Sequence, residues 1–308
     1  MKIAVMAAGG VGGYFGARLA EAGRDVTFIA RGAHLAAILE NGLRVESPLG
    51  DVQLPPGQAT DDPASVGPVD IVMLAVKLSD LETAAEACKP LLGPETAVVP
   101  FLNGVAAPEV LTRILGPEHA CGGAAYISAH IEAPGCIRHI GKFARLVFGE
   151  LDGTLSDRLR AFEGVLADSG ILAEISDSIE VELWEKFTVL VALSGTTGAA
   201  RSPVGQIRAS AVGRDVFIEA MREVIAVGRA RGIALADDLL DRRIKFFNDM
   251  PDNMKASMLV DLEAGKPLEA PWLSGAIAAM GRESGVPTPV NDALFLAVEP
   301  FVSGAPKE

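Results

Sequence analysis

The feature that most constrains this chain lies at its very start. A short apolar run, residues 3–6, leads directly into Ala7-Ala8-Gly9-Gly10-Val11-Gly12-Gly13, and that glycine cluster opens a helical pattern over residues 11–22. A strand, a glycine turn and a helix N-terminus in that order form a dinucleotide-binding fingerprint in its expected context. The unpaired N–H groups and partial positive charge of a helix N-terminus suit a pyrophosphate. In this reading Gly9 lets the backbone approach the phosphates and Gly12 lets the helix pack on the strand, while Ala7 stands where the fingerprint has its first glycine. Ala8, Gly10 and Val11 complete the cofactor loop.

Other residues extend the site. In NAD binders an acidic residue about 20 positions beyond the loop contacts the ribose 2′-hydroxyl. Here Arg31 occupies that place, just after the strand-like residues 26–29. A guanidinium suits a 2′-phosphate, so the sequence predicts NADP(H). Lys77 closes the strand-like run 71–76, and Asn103-Gly104 follows another at 97–102. Ligands of open α/β sheets bind outside the carboxyl ends of the strands, which makes Lys77 and Asn103 candidates for contact with the cofactor. Asn103 could also reach the substrate.

The first half alternates apolar runs (3–6, 26–29, 71–76, 97–101) with helical patterns (11–22, 34–40, 81–91, 108–115), which argues for a parallel sheet with helices packed on it. Residues 44–46 and 52–54 read as a hairpin insertion, and 137–140 and 144–148, flanking Gly141-Lys142, as a second. Beyond about residue 176 helical periodicity takes over. The expected organisation is therefore an α/β domain over residues 1–176 and an all-helical domain over 177–308. On the first helix of that second half, Lys186, Leu190 and Ser194 recur every four residues and share a face. A small-residue turn, Ser194-Gly195-Thr196-Thr197-Gly198, is expected to end that helix.

Composition removes several function classes. Lys and Arg total 27 against 40 Asp and Glu, a formal net charge of -13. A phosphate-backbone binder needs a net basic surface, so nucleic acid is not an expected partner, and an anionic membrane is disfavoured for the same reason. The three cysteines form no CxxC and the four histidines show no metal-ligand spacing, so no metal is expected. Hydrophobic residues make up 49% and mean hydropathy is +0.32, yet no apolar run is long enough for a membrane span. The expected setting is cytoplasmic, and a homodimer is left open.

Together these residues resemble the ketopantoate reductase (2-dehydropantoate 2-reductase) family along nearly the whole chain. The resemblance is carried by the glycine loop running into Gly13-Tyr14-Phe15-Gly16, Arg31, Ala75-Val76-Lys77, Leu102-Asn103-Gly104, Trp184-Glu185-Lys186-Phe187, the 255–262 segment around Ser257, Leu268-Glu269, Trp272-Leu273-Ser274-Gly275-Ala276, and Gly285-Val286-Pro287-Thr288-Pro289. It implies a Rossmann domain followed by a helical domain, and reduction of a 2-keto acid, by default 2-dehydropantoate, to a 2-hydroxy acid with NADPH. It implies that Lys186 is the catalytic lysine, Glu269 an acidic active-site residue, Ser257 and Asn103 substrate contacts, and Ser128 a cofactor-loop position. Leu190 and Ser194 stand where the better-known members carry asparagines facing the substrate, and Pro271 where an aspartate is usual. Two alternatives stay open at this stage: another branched 2-keto acid or carbonyl as substrate, or a dinucleotide-binding regulator without turnover.

Overall fold

Parallel pairing organises the first of two units, Met1–Glu182, in a computed structural model that describes residues 1–305. Its elements in chain order are β1 (Lys2–Met6), α1 (Gly10–Glu21), β2 (Asp25–Ile29), α2 (Gly32–Asn41), β3 (Arg44–Glu46), β4 (Val52–Gln53), β5 (Ala59–Thr60), β6 (Val69–Leu74), α3 (Leu81–Cys88), β7 (Leu92–Pro100), α4 (Ala107–Leu115), β8 (Cys121–Ala133), β9 (Cys136–Glu150), α5 (Asp157–Asp168) and β10 (Leu172–Ile175). One sheet has the order β5-β2-β1-β6-β7 and is parallel throughout. Its central strands are fully buried over Ile3–Met6 and Ile71–Leu74, which is why those stretches read as unbroken apolar runs rather than alternating ones. The strand ends are in register: Met6 pairs with Ile29 and Leu74, and Leu74 with Pro100. The segments that follow these strands therefore all emerge at one edge.

A second sheet has the order β10-β9-β3-β4, with β8 paired to β9. Helix α1 packs against both sheets. Phe15 and Ala17 share one apolar core with Val5 and Phe28 of the first sheet and Ile137 and Phe148 of the second. This sheet corrects one expectation. Residues 137–140 and 144–148 do not pair with each other; both belong to the single strand β9, and each pairs with β8. Tyr126 pairs with Arg145 and Ser128 with Ile140, so residues 141–144 bulge out of a continuous ladder. The real hairpin turn is Pro134-Gly135, with Gly135 at φ +76°, as a proline-glycine turn favours. Strand β8 hides in the sequence because it begins Cys-Gly-Gly-Ala-Ala, residues with little strand preference.

The second unit, Leu183–Glu308, is helical among its described residues. Its helices are α6 (Ile179–Ala200), which begins in the first unit, then α7 (Val204–Ala209), α8 (Ala211–Ala230), α9 (Leu239–Asp249), α10 (Ser257–Glu263), α11 (Ser274–Ser284) and α12 (Pro289–Val298). Val189, Ala192 and Leu193 of α6 pack with Phe217 and Met221 of α8, Phe247 of α9 and Leu294 of α12, and Phe217 and Phe247 stack with centroids 3.9 Å apart. Buried Glu223 on α8 fixes the start of α12, accepting from the backbone N–H groups of Val290 at 2.8 Å and Asn291 at 2.9 Å.

Residues 194–198 are not the turn expected; α6 continues to Ala200. The low helix preference of these small residues is overridden by tertiary packing. The Thr196 and Thr197 hydroxyls donate back to the carbonyls of Ala192 and Leu193 at 2.7 and 2.6 Å. Gly195 gives Ser274 and Leu294 close access to the helix: a Cβ there would lie 2.9 Å from atoms of each.

Candidate active site

The first unit gathers the expected cofactor residues at the carboxyl edge of the parallel sheet. β1 has β2 on one side and β6 on the other, so the chain changes direction across it, the position where open α/β sheets bind ligands. Ala7 and Ala8 leave β1, and the Ala8 N–H is tied to the Ile29 carbonyl at 3.0 Å. Gly9 is the N-cap of α1, and its carbonyl accepts from Gly13 N–H at 2.6 Å, closing the first turn. Gly10 and Val11 are partly buried in that turn.

Two glycines of the loop are needed for different reasons. A Cβ at Gly12 would crowd the Ala7 carbonyl oxygen and lie 2.9 Å from Val5 Cγ1, so Gly12 is required by helix-on-strand packing alone. Gly9 has an ordinary extended φ of -75°, and a Cβ there would meet nothing within 4 Å. None of the described residues demands glycine at this position. The space its side chain would fill is open and lies in front of the α1 N-terminus, the kind of position whose N–H groups suit a phosphate.

Arg31 is exposed at the N-cap of α2, two residues beyond β2. Lys77 is exposed, three residues beyond β6. Asn103 is partly buried, three residues beyond β7, and precedes Gly104 at φ +82°. Ser128 is exposed on β8 beside its register irregularity. The next residues of β8 cross over the glycine loop: a Cβ at Gly10 would lie 2.9 Å from His130 Cα. The topology thus brings Ala7–Gly12, Arg31, Lys77 and Asn103 to one edge and sets Ser128 beside the loop.

The second unit holds the residues expected to act on the substrate. Trp184 and Phe187 point into its core, their rings edge-to-face at 5.8 Å, while Lys186 between them is only partly buried. The rotation of α6 is further set by Glu185, which accepts from Arg242 at 2.9 Å and from Arg243 at 2.5 Å, both on α9. Burial lowers the pKa of Lys186 from the ordinary 10.5 to about 8, and the Glu269 carboxylate acts against that drop. Those two residues are therefore electrostatically coupled. Glu269 is the N-cap of a short 3-10 turn, Ala270–Trp272, that includes Pro271.

Leu190, one turn after Lys186, is partly buried and makes this part of the helix face apolar. Ser194, a further turn along, is fully buried and its hydroxyl has no hydrogen-bond partner among the described residues. Ser257 is exposed at the start of α10. Among the described residues no cluster of three or more His, Cys, Asp or Glu is placed to hold a metal, and no helix is long and apolar enough to cross a membrane.

Comparison with known proteins gives a consistent result. The chain matches the family model described as ketopantoate reductase PanE/ApbA over residues 3–153, and that of its C-terminal region over residues 178–300. It is 36% identical over 326 residues to a 2-dehydropantoate 2-reductase of Mesorhizobium japonicum, covering 97% of each chain. It is 33% identical over 303 residues to YkpB of Bacillus subtilis, described as an uncharacterized oxidoreductase, covering 98% of this chain and 99% of that one. Among solved structures, a PanE/ApbA family ketopantoate reductase from Ralstonia eutropha has a TM-score of 0.90 at 32% identity, covering 98% of both chains.

Proposed function

Because this chain belongs to the ketopantoate reductase family and is an oxidoreductase acting on CH–OH groups, we propose that it reduces a 2-keto acid to the 2-hydroxy acid with NADPH, with 2-dehydropantoate as the default substrate. The observation that carries this reading is the coupled pair Lys186 and Glu269. A ketone reductase must deliver a proton to the carbonyl oxygen as the carbon is reduced. A lysine held near pH 8 by burial keeps its proton at neutral pH and gives it up more readily than an ordinary lysine.

Gly9, Gly10 and the α1 N-terminus would hold the pyrophosphate, Arg31 the 2′-phosphate, and Lys77, Asn103 and Ser128 the remainder of the dinucleotide. When bound, the nicotinamide supplies the hydride. The Lys186 ammonium stabilises the negative charge developing on the substrate oxygen and donates its proton to it. Glu269 favours the protonated form of Lys186 by opposing the effect of burial. Ser257 and Asn103 would donate hydrogen bonds to the substrate. NADPH is favoured over NADH because an arginine, not a carboxylate, ends the β2 turn.

Leu190 favours a second reading of the substrate. Where an asparagine could pair with a substrate hydroxyl, leucine presents an apolar surface, which suits a branched alkyl 2-keto acid as well as 2-dehydropantoate. Initial rates of NADPH oxidation with a panel of 2-keto acids test both readings. Turnover of at least one branched 2-keto acid is expected. NADPH binding without turnover of any would overturn the 2-keto acid reading of the substrate.

A further inference from the structure

His34 lies in the first turn of α2, three residues after Arg31. Its ring bridges two backbone groups that are distant in sequence. Nδ1 accepts from the Gly135 N–H at 3.0 Å, in the turn between β8 and β9. An accepting Nδ1 leaves the hydrogen on Nε2, which donates to the Ala8 carbonyl oxygen at 2.8 Å. Burial holds the His34 pKa below the ordinary histidine value, in keeping with a neutral ring that uses one nitrogen as acceptor and the other as donor.

The Ala8 carbonyl and the Gly9 N–H belong to the same trans peptide, so they point in opposite directions. A donor that pins the carbonyl on one side therefore sets the direction of the amide on the other. That amide is the first N–H donor of the glycine loop, at the residue whose Cα faces open space. The same side chain stands on the helix whose N-cap is Arg31. One imidazole thus ties the glycine loop, the β2–α2 corner and the β8–β9 turn into a single frame.

We propose that His34 is a positioning residue for the dinucleotide: through the Ala8 carbonyl it holds the Gly9 amide as a preorganised phosphate donor and fixes its spacing from Arg31. This rests on the dinucleotide reading above. The ring needs no contact with the cofactor. It contributes by removing the freedom of the Ala8–Gly9 peptide to rotate, so that less order must be imposed on binding.

Two variants separate the halves of the bridge. In His34→Gln the side-chain amide nitrogen reaches the place of Nε2 and keeps the bond to Ala8. In His34→Asn the side chain can still meet Gly135 but is too short for Ala8. NADPH dissociation constants, read from the fluorescence of the bound dihydronicotinamide well below the unfolding midpoint of each variant, should rise about tenfold for His34→Asn and stay within about threefold for His34→Gln, the scale of one lost hydrogen bond. The loss should fall on the dissociation constant and KM of NADPH, not on kcat at saturating NADPH or KM of the keto acid. Equal binding by the two variants, or unweakened binding by His34→Asn, overturns the role of His34. Failure of the unmodified protein to bind NADPH would instead overturn the dinucleotide reading, and this inference with it.

Discussion

If Lys186 is the acid, its altered pKa dictates how rate depends on pH. Lowering a lysine from 10.5 to about 8 corresponds to about 3 kcal/mol of preference for the neutral amine over that in an unstructured chain. Below pH 8 the ammonium is the major form, about nine-tenths of it at pH 7, so kcat for reduction should be nearly flat there. Above pH 8 the acid is lost as its proton leaves, and kcat should fall about tenfold per pH unit. The perturbation is Glu269→Gln. It removes a charge that opposes burial and leaves the burial in place, so the Lys186 pKa must fall further and the alkaline limb must move to lower pH. Rates of keto-acid reduction at saturating NADPH, measured from pH 6 to 10 on both proteins, provide the assay. A limb that stays put or moves upward in Glu269→Gln, or a kcat that rises through pH 8 in the unmodified protein, would refute the pairing of these two residues. The same shift bears on stability. Between about pH 8 and 10.5 the unfolded chain binds a proton at this lysine that the folded chain does not. Stability should therefore rise with pH across that window, and the cost of burying the charge is fully present below it.

The glycine loop offers a contrast within four residues. Gly9→Ala should fold normally, because its Cβ meets nothing within 4 Å, yet lose NADPH binding in a titration; Gly12→Ala should lower the unfolding midpoint, because its Cβ would lie 2.9 Å from Val5 Cγ1 and 3.1 Å from Ala75 Cβ. Arg31→Ala should weaken NADPH about 10- to 150-fold while leaving NADH nearly unchanged, the range of a lost charge-assisted hydrogen bond; an equal loss for both cofactors would remove Arg31 from that role. Leu190→Asn should shift kcat/KM toward 2-dehydropantoate. In the unmodified protein a preference of more than about 100-fold for that substrate over its deoxy analogue would contradict the apolar reading of Leu190, since it marks a site built around the hydroxyl.

The parallel sheet was legible in the sequence because its strands are buried on both faces and so read as apolar runs. The glycine loop was legible because close packing and phosphate access both exclude side chains. Strand β8 was not, because its first residues are small and its partner, β9, supplies the order that its own sequence lacks. The extension of α6 through residues 194–198 was hidden for a related reason. Glycine and threonine read locally as a turn, whereas Ser274 and Leu294 pack close to Gly195, Met258 and Val298 to Gly198, and the threonine hydroxyls are satisfied by helix carbonyls. Among the site residues, Arg31, Lys77 and Asn103 could be placed from strand ends alone. Lys186 and Glu269 are far apart in sequence, and only the family resemblance pointed to them together. His34 gave no signal, because its partners lie 26 and 101 residues away and are backbone groups. A local pattern carries no record of such contacts.

The central claim is that this chain moves a hydride from a reduced dinucleotide to the carbonyl carbon of a 2-keto acid, with Lys186 supplying the proton. The most direct test uses NADPH carrying deuterium at the transferable nicotinamide position, mixed with the protein and a branched 2-keto acid, with the product read by mass spectrometry. The account predicts a 2-hydroxy acid with one deuterium on the former carbonyl carbon, formed about 10²- to 10⁴-fold more slowly by Lys186→Met at equal occupancy of NADPH. A protein that binds NADPH yet forms no deuterated hydroxy acid from any member of the panel, or a Lys186→Met variant that forms it at the unmodified rate, would contradict it.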